Sequence, residues 1–257
     1  MKRFRIIPTL LINEGKLVKT INFKNPSYVG DPINAVKIFN EKEVDEISII
    51  DMSCTIKAKE PNFNLISDIA GEAFMPMSYG GGISSLEIGQ KIIRCGVEKL
   101  IINNALMKRP EIIKIFKEKF GSQSIVASLD IKKNWFGNYK IFDYSTKKLQ
   151  SQDIISYVKL LESSGIGEII LNYVDKDGTF NGFNTEHCKL IANSLNIPVI
   201  LSGGCNGISN MLSAVKDGNA SAIAVGSLFV YQLPHRAVMI NYPKQKDLLE
   251  KVFMKIK

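Results

Sequence analysis

Short apolar runs recur along the whole chain, with segments of a different pattern between them. Each run is rich in β-branched or aliphatic residues and lacks polar alternation, which is typical of strands that are buried on both faces. The runs that we interpret as strands are eight in number: residues 5–11, 46–51, 75–79, 99–102, 125–130, 168–171, 198–201 and 222–225.

The segments between these runs carry apolar residues at helical spacing, for example residues 86–94, 110–118, 154–161 and 211–215. Alternating strands and helices favour a parallel sheet, and eight repetitions favour closure of that sheet into a barrel. The length of 257 residues suits such a fold, which typically needs about 250. We therefore predict an α/β protein with a (β/α)8 TIM-barrel fold, forming a single domain over residues 1–257.

The second half of the chain repeats features of the first half at an offset of about 120 residues. The matched segments are residues 49–51 with 169–171, 80–82 with 203–205, and 103–104 with 226–227. A repeat of this length, made of strands and helices, predicts two half-barrels, at about residues 1–120 and 121–257.

One stretch interrupts the alternation of strands and helices. Residues 132–149 contain Trp135, Phe136, Tyr139, Phe142 and Tyr144 among polar residues. We predict a small hairpin or lid inserted after the fifth strand, packed on the rim of the barrel.

Composition and charge narrow the functional class. Four widely spaced cysteines without a C-x-x-C pair argue against a zinc site or a disulfide framework and fit a reducing, cytoplasmic setting. No apolar run is long enough to cross a membrane. The net charge of +8 comes from scattered lysines. We explain this charge first by solvated helix faces and second by anionic substrates, and we expect no nucleic-acid partner.

The predicted carboxyl ends of the strands carry groups suited to phosphate. Glycines at 80–82 and at Gly203 and Gly204 let backbone N–H groups approach an anion closely. The pairs Asn103–Asn104 and Gly226–Ser227 follow at matching distances and can add donors at helix N-termini. Two cradles at equivalent places predict a phosphorylated small molecule with a phosphate at each end.

Carboxylates at the same strand ends are the candidates for proton transfer. The strand ends carry Asp51, Asp130 and, in the sixth loop, Asp175 and Asp177; of these we expect Asp130 and Asp177 to transfer protons and Asp51 to bind substrate. A helix N-cap or turn role fits the local sequence around Asp130 equally well. The two histidines lack partners at ligand spacing, and we predict neither a metal nor a cofactor.

The opposite end of the predicted barrel carries four charged residues. Arg5, Glu46, Lys99 and Glu168 each begin a predicted strand. Charged residues often begin strands simply because these positions are exposed to water. Solvent exposure alone would not constrain the signs of the charges, whereas here two positive charges match two negative ones. If they point inward, they form a neutral ring across the barrel floor, stable only while every member is paired.

These residues together resemble the cyclase subunit of imidazole glycerol phosphate synthase, the HisF-type (β/α)8 barrel of histidine biosynthesis. The similarity extends over nearly the whole chain. It rests on the motifs Arg5-Ile6-Ile7-Pro8, Asn22-Phe23, Gly30-Asp31-Pro32, Gly80-Gly81-Gly82-Ile83, Phe120-Gly121-Ser122-Gln123, Asp175 to Thr179, and Ser202-Gly203-Gly204.

The resemblance implies an ammonia-using lyase subunit with a HisH-like glutaminase docked on the barrel floor. It implies that the four charged residues at the floor are the gate of an ammonia passage, and that Lys19 contacts substrate. It places the phosphate contacts on two sides, at Gly82, Asn103 and Asn104 and at Gly178, Gly204, Gly226 and Ser227.

One position departs from the family pattern. The family uses an aspartate at the end of the first strand as the partner of Asp130, and this chain has Leu11 there, in Thr9-Leu10-Leu11. The intact gate and the missing acid favour a paralogue that channels ammonia for amidation of a nucleotide-activated sugar in surface polysaccharide synthesis. That paralogue would act with a sugar amidotransferase. Two alternatives remain: a histidine-pathway cyclase with another acid, and a non-catalytic barrel that activates the glutaminase.

Overall fold

A computed structural model describes residues 4–57 and 59–256 of the chain. Among these residues, eight parallel strands pair in a ring that closes on itself, so that each strand has a neighbour on both sides. In order around the ring, they are β1 (Arg5–Asn13), β4 (Ile47–Asp51), β5 (Met77–Gly80), β6 (Lys99–Ile102), β7 (Ile125–Lys133), β10 (Glu168–Tyr173), β11 (Val199–Ser202) and β12 (Ala222–Val225).

Helices follow the barrel strands and cover the outside of the ring. In chain order they are α1 (Pro32–Glu41), α2 (Met52–Lys57), α3 (Phe63–Glu72), α4 (Leu86–Arg94), α5 (Asn104–Lys108), α6 (Ile112–Phe120), α7 (Ile154–Ser164), α8 (Thr185–Ala192), α9 (Ile208–Lys216) and α10 (Gln245–Lys251). No α-helix in the described part of the chain is long and apolar enough to cross a membrane.

Several of these helices begin where a polar side chain accepts a hydrogen bond from the backbone three residues later. Asp31, Asn62, Ser85, Asp153 and Asn184 cap α1, α3, α4, α7 and α8 in this way. Each cap satisfies an N–H group that has no partner within the helix, which stabilises the start of the helix by about 1 kcal/mol.

The buried apolar residues form two separate clusters. The larger cluster fills the space between the strands and the helices. The smaller one fills the lumen of the barrel, and its members come from six of the barrel strands: Ile7, Ile101, Val126, Ile170, Ile200, Ala222 and Ala224. Side chains therefore alternate along each strand between the helix-facing layer and the lumen.

Additional strands extend the barrel at its carboxyl end. β2 (Lys16–Ile21) and β3 (Lys24–Gly30) form an antiparallel hairpin on β1. β8 (Tyr139–Asp143) pairs antiparallel with the extended end of β7, and β9 (Lys148–Leu149) pairs with β8. A separate small hairpin, β13 (Tyr231–Gln232) and β14 (Ala237–Val238), follows the last barrel strand.

The predicted closed barrel is confirmed, and all eight predicted strands are present within two or three residues of their expected ends. The predicted insertion at residues 132–149 is a hairpin on β7. The β2–β3 hairpin was not predicted. Glu46 precedes β4 and does not begin it. The division into two half-barrels stays a prediction.

Candidate active site

The carboxyl ends of the barrel strands surround one cavity of about 500 Å³, here called the mouth. The sequence-predicted residues that line it are Lys19, Asp51, Gly82, Asn103, Asn104, Asp130, Asp177, Gly178, Gly203, Gly204, Gly226 and Ser227. The fold thus brings every candidate for phosphate binding and proton transfer to a single site, as expected for this end of a barrel.

The two groups of glycine and amide residues face each other across the mouth. Gly82 and Asn103 follow β5 and β6, the third and fourth strands of the ring, whereas Gly204 and Gly226 follow β11 and β12, the seventh and eighth. Strands four places apart in a ring of eight are diametrically opposite. An elongated ligand with an anionic group at each end would span this arrangement.

Gly204 shows why one of these cradles requires glycine. Its φ is +94°, and a Cβ atom would lie 2.5 Å from the carbonyl oxygen of Gly182. An L side chain is disfavoured by both the backbone conformation and the contact. Glycine is therefore the residue that this position accepts, and anion binding by its backbone stays a prediction.

Lys19, on β2, lines the mouth on the side that contains Gly204 and Gly226. Its ammonium group donates a 2.5 Å hydrogen bond to the carbonyl oxygen of Thr9. A Cβ atom on Gly226 would lie 2.6 Å from the ammonium nitrogen. Burial lowers the pKa of Lys19 to about 8 although Asp177 opposes the shift, so the ammonium form gains from any anion bound beside it.

Asp130, at the end of the fifth barrel strand, is held by two amide side chains. Asn103 donates to one carboxylate oxygen at 2.9 Å, and Asn172 donates to the other at 3.3 Å. Burial raises the pKa of Asp130 to about 7, against the effect of these two hydrogen bonds. A carboxyl group with a pKa near neutrality can both accept and release a proton at physiological pH.

Asp177 has a different setting, because it fastens the β2–β3 hairpin over the mouth. Its carboxylate accepts hydrogen bonds from the Thr20 hydroxyl at 2.7 Å and from the Phe23 backbone at 3.2 Å. Its backbone carbonyl accepts one from the Asn22 backbone at 3.0 Å. Burial raises the pKa of Asp177 despite these bonds. A proton-transfer role for Asp177 stays a prediction beside this structural role.

Asp51 lies at the mouth end of β4 and shapes the turn that follows. One of its oxygens accepts hydrogen bonds from the backbone and the hydroxyl of Ser53, at 2.9 and 2.6 Å. This is the pattern of an aspartate that stabilises its own turn and the start of a helix. Substrate binding by Asp51 stays a prediction.

Leu11 lies on β1 and lines the mouth. In the sheet it pairs with Ile50 of β4 and with Val18 of β2. Because β1 and β7 are the first and fifth strands of the ring, Leu11 and Asp130 occupy opposite sides of the cavity. The side that faces Asp130 therefore carries a group that cannot exchange a proton.

At the other end of the barrel, the four charged residues expected at the floor form a closed ring. Arg5 contacts Glu46 at 2.5 Å and Glu168 at 2.7 Å, and Lys99 contacts the same two carboxylates at 3.0 and 3.2 Å. Burial disfavours the charge on Arg5, but Glu168 and Glu46 outweigh burial and raise its pKa. Each cation therefore bridges both anions.

Several residues of the mouth were missed from the sequence. Asn172 was not expected, although it is a polar residue directly after the apolar run at 168–171, which is a readable signal. Three further cationic side chains line the cavity: Lys59, Lys108 and Arg109. They lie in loops and in a short helix, where a basic residue is ordinary, so the sequence carried no signal for them.

Comparison with known proteins finds related chains of nearly the same length. The sequence model of a family described as histidine biosynthesis protein matches residues 5–233. A Pseudomonas aeruginosa protein with the provisional name imidazole glycerol phosphate synthase subunit hisF2 is 44% identical over 248 residues, covering 96% of this chain and 99% of that protein.

Two further relatives come from distant organisms. A Leptospira borgpetersenii protein provisionally named imidazole glycerol phosphate synthase subunit HisF is 42% identical, covering 96% of this chain and 98% of that protein. The imidazole glycerol phosphate synthase subunit HisF of Methanococcus vannielii is 33% identical, covering 89% of this chain and 91% of that protein.

Proposed function

This chain belongs to the histidine biosynthesis protein family, as a HisF-type subunit, and on that premise we propose that it conducts ammonia to an acceptor outside histidine synthesis. The ammonia would come from a HisH-like glutaminase docked on the barrel floor. The acceptor would be a nucleotide-activated sugar, presented at the mouth by a sugar amidotransferase.

The ring at the floor supports the first step. Arg5, Glu46, Lys99 and Glu168 close the lower end of the lumen by mutual ion pairs. Displacement of the Lys99 ammonium group would open a path while Arg5 still pairs both carboxylates. Beyond the ring the lumen is lined by aliphatic side chains, which favour neutral ammonia over the ammonium ion because an unpaired charge there is costly.

The observation that carries the proposal is Leu11 opposite Asp130. Closing an imidazole ring on a ribulosyl substrate requires protons to be moved on both sides of the reacting centre. Here one side has a carboxyl group with a pKa of about 7, and the other has an aliphatic side chain. Loss of one acid–base group commonly costs about 10²–10⁴ in rate. Delivery of ammonia requires no such pair.

For the acceptor we propose the acetamido group of a nucleotide-activated sugar. The sugar amidotransferase would first transfer a phosphoryl group from a nucleoside triphosphate to the acetamido oxygen, which releases the nucleoside diphosphate and lets that oxygen leave as phosphate. Ammonia from the mouth would then add to the same carbon, the activated oxygen would leave, and loss of a proton would give the acetamidino group. In this scheme the barrel moves ammonia and the partner enzyme performs the bond changes.

A second candidate is the ring-closing reaction of histidine biosynthesis, and specific features of the mouth favour it. The residues predicted to bind the two phosphates line opposite sides of the cavity, and Asp130 has a pKa suited to proton transfer. A protein that only conducts ammonia has no need for either feature. The two candidates therefore differ in what they demand of Asp130 and of position 11.

The experiment that separates them measures ammonia-dependent conversion of the bis-phosphorylated ribulosyl substrate by the purified chain. We expect no turnover by the wild type and measurable turnover by a Leu11→Asp variant. Leu11→Asn, of similar size but without an exchangeable acid proton, is the matched control and should stay inactive. Robust wild-type turnover that is lost on Asp130→Asn would establish the cyclase and overturn the proposal.

The same proteins test the acceptor. The barrel, its glutaminase and the sugar amidotransferase of the same organism are combined with glutamine labelled with ¹⁵N in its side-chain amide, and the sugar product is examined by mass spectrometry. We expect the label in the acetamidino group only when the barrel is present. Incorporation that is equally fast without the barrel would exclude a role in delivery.

A further inference from the structure

The hairpin at residues 132–149, here called the rim hairpin, ends in two aromatic side chains in water. Trp135 is 97% exposed and Phe136 is 85% exposed. Aromatic side chains of this size normally contribute by burial, with about 1.5–3 kcal/mol for a phenylalanine. Neither contributes in this way to the barrel, so their role lies outside the stability of the isolated chain.

The tip that carries these side chains is rigidly built. The Asn134 side-chain oxygen accepts hydrogen bonds from the backbones of Phe136 and Asn138, at 3.0 and 2.9 Å. The Asn134 backbone donates to the Asn138 carbonyl at 2.8 Å, and the Lys133 backbone donates to Asp175 at 2.8 Å. The backbone that carries the two aromatic side chains is held in this way, so ordering of the tip costs little conformational entropy on binding, which is a property of docking anchors.

The charge of the rim hairpin indicates the chemistry of its partner. It has a single acid, Asp143, among five lysines: Lys132, Lys133, Lys140, Lys147 and Lys148. The Ser145 hydroxyl and the Asn104 amide donate hydrogen bonds to one carboxylate oxygen of Asp143, at 2.7 and 2.8 Å. A surface complementary to this hairpin is therefore acidic around an apolar groove.

The position of the rim hairpin connects it to the mouth. It grows directly from β7, the strand that carries Asp130. The hydrogen bond from Asn104 to Asp143 connects the rim hairpin to the side of the mouth that contains Gly82 and Asn103. The ring at the floor lies at the other end of the same strands, so a protein seated on the rim hairpin leaves the floor free.

We propose that the rim hairpin docks the mouth of the barrel into an acidic, apolar-floored groove on the enzyme that holds the nitrogen acceptor. This inference rests on the proposed function. Ammonia that reaches open water at neutral pH takes up a proton and ceases to be a nucleophile. A consuming enzyme therefore has to cover the mouth, and the rim hairpin carries the two most exposed large apolar side chains of the described residues.

A protein surface fits the rim hairpin better than a membrane does. Lys132, Lys133 and Lys147 lie over aromatic rings of the hairpin itself, at 5.0, 5.1 and 3.0 Å from the ring centroids. Their charges are therefore held along the hairpin and do not spread into one flat basic face. Two side chains on a narrow tip also bury less apolar area than stable membrane anchoring requires.

The test measures binding of the purified sugar amidotransferase of the same organism to the barrel–glutaminase complex. We expect Trp135→Ala and Phe136→Ala each to weaken binding by about thirtyfold or more, the size expected for interface anchors. Both side chains are exposed, so thermal unfolding should be unchanged. The matched control is Leu190→Ala, which removes a side chain that is 62% exposed on α8, and should not alter binding.

A charge variant adds a second readout. Lys147→Glu combined with Lys148→Glu should weaken binding most at low ionic strength, where screening is least. Equal binding by the wild type and the aromatic variants would overturn the docking proposal. So would equal loss on Leu190→Ala, binding to phosphatidylserine vesicles that requires Trp135, or self-association that requires it.

Failure of the docking proposal can be distinguished from failure of the proposed function. If ¹⁵N reaches the sugar but the aromatic variants transfer it as well as the wild type, docking by the rim hairpin is wrong and ammonia delivery stands. If the wild-type complex neither binds the amidotransferase nor transfers ¹⁵N, both proposals are wrong.

Discussion

Leu11 and Asp130 lie on diametrically opposite strands of the barrel, and both line the same cavity. An aliphatic side chain thus faces a buried carboxyl group across the mouth. Asp130 is only 4% exposed, and its hydrogen bonds to Asn103 and Asn172 offset only part of the cost of burying its charge. This setting makes the ionisation of Asp130 measurable through stability.

The first prediction concerns the pH dependence of unfolding. The pKa of Asp130 is about 7 in the folded state, above its ordinary value of 3.8. Between these two pH values the folded state therefore keeps a proton on Asp130 that the unfolded state has released. The charged form is disfavoured in the folded state, and Asp130 therefore lowers stability as the pH rises from about 4 to 7. In urea unfolding, the stability of Asp130→Asn relative to wild type should increase by up to about 4 kcal/mol between pH 4 and pH 8.

A carboxylate with the opposite shift provides the control. Asp153 caps α7, and hydrogen bonds from Ser156 lower its pKa. Its contribution is present above its unfolded pKa and is lost as the pH falls, so Asp153→Asn should cost more at neutral pH than in acid. A pH-independent difference for Asp130→Asn would contradict a pKa near 7.

The second prediction concerns Asn172, whose amide donates to Asp130 at 3.3 Å and to Ser128 at 3.1 Å. Asn172→Leu keeps the approximate volume and removes the donor. The carboxylate then loses one of its two amide partners, and the pKa of Asp130 should rise by roughly one unit. Carboxyl ¹³C resonances followed by NMR during a pH titration measure this directly.

Asn193→Leu is the matched control for this measurement, because its amide group pairs with Asn219 on the surface. It should leave the Asp130 titration unchanged. A pKa that is the same in Asn172→Leu and wild type would show that the Asn172 hydrogen bond is without effect on the carboxylate.

The third prediction concerns Thr20, whose hydroxyl donates to Asp177 at 2.7 Å. Thr20→Val keeps the shape and leaves a largely buried carboxylate oxygen without this donor. We expect a loss of about 1–3 kcal/mol in stability and a further rise in the pKa of Asp177. Hydrogen exchange should accelerate in β2 and β3, because the bond fastens that hairpin to the sixth loop.

Ser27→Ala removes a hydroxyl from the same hairpin that bonds Tyr231 at an exposed position. Its effect should stay within about 0.5 kcal/mol. Equal effects of the two variants would argue that Asp177 does not hold the hairpin, and would favour a purely chemical role for it.

The fourth prediction concerns the ring at the floor. Lys99→Ala removes two of the contacts to Glu46 and Glu168 and leaves Arg5 paired with both. Because the carboxylates keep one cation, the loss of stability should be about 1–3 kcal/mol. Glutamine hydrolysis by the glutaminase complex should continue while ¹⁵N transfer to the acceptor falls, and analytical gel filtration should show intact assembly.

Lys37→Ala controls for loss of a lysine from an ion pair, since Lys37 pairs with Glu72 on the surface at 3.2 Å. Lys37→Ala should leave the ratio of ¹⁵N transfer to glutamine hydrolysis unchanged. Undiminished transfer in Lys99→Ala would contradict the assignment of the ring as a gate. Glutaminase activation that needs the barrel but not the ring would favour the non-catalytic alternative.

The ring shows how far a local pattern can reach. Arg5, Lys99 and Glu168 each begin a strand, and Glu46 lies one residue before its strand. Strand starts share one end of a parallel barrel, and side chains alternate with period two. Position at or just before a strand start therefore placed all four residues at one end of the barrel, and the structure shows that they face one another. Balanced charges then made pairing the stable outcome.

The β2–β3 hairpin and the role of Asp177 show where the sequence was insufficient. β2 and β3 pair with each other in a register that contains irregularities, so no simple alternation marks the hairpin in the sequence. The hydrogen bond from Thr20 to Asp177 joins residues that are 157 positions apart in the sequence. Nothing in the sequence near either residue specifies the other as its partner.

The sequence by itself determined the barrel, the ends at which its polar residues lie, and the presence of an aliphatic residue, Leu11, at the end of the first strand. These follow from periodicity and strand ends, which are local properties of the chain. The tertiary structure alone decided the pKa of Asp130, the use of Asp177 as a clip, and the exposure of Trp135. Each of these depends on desolvation and on partners from distant segments, which exist only after the ring of strands has closed.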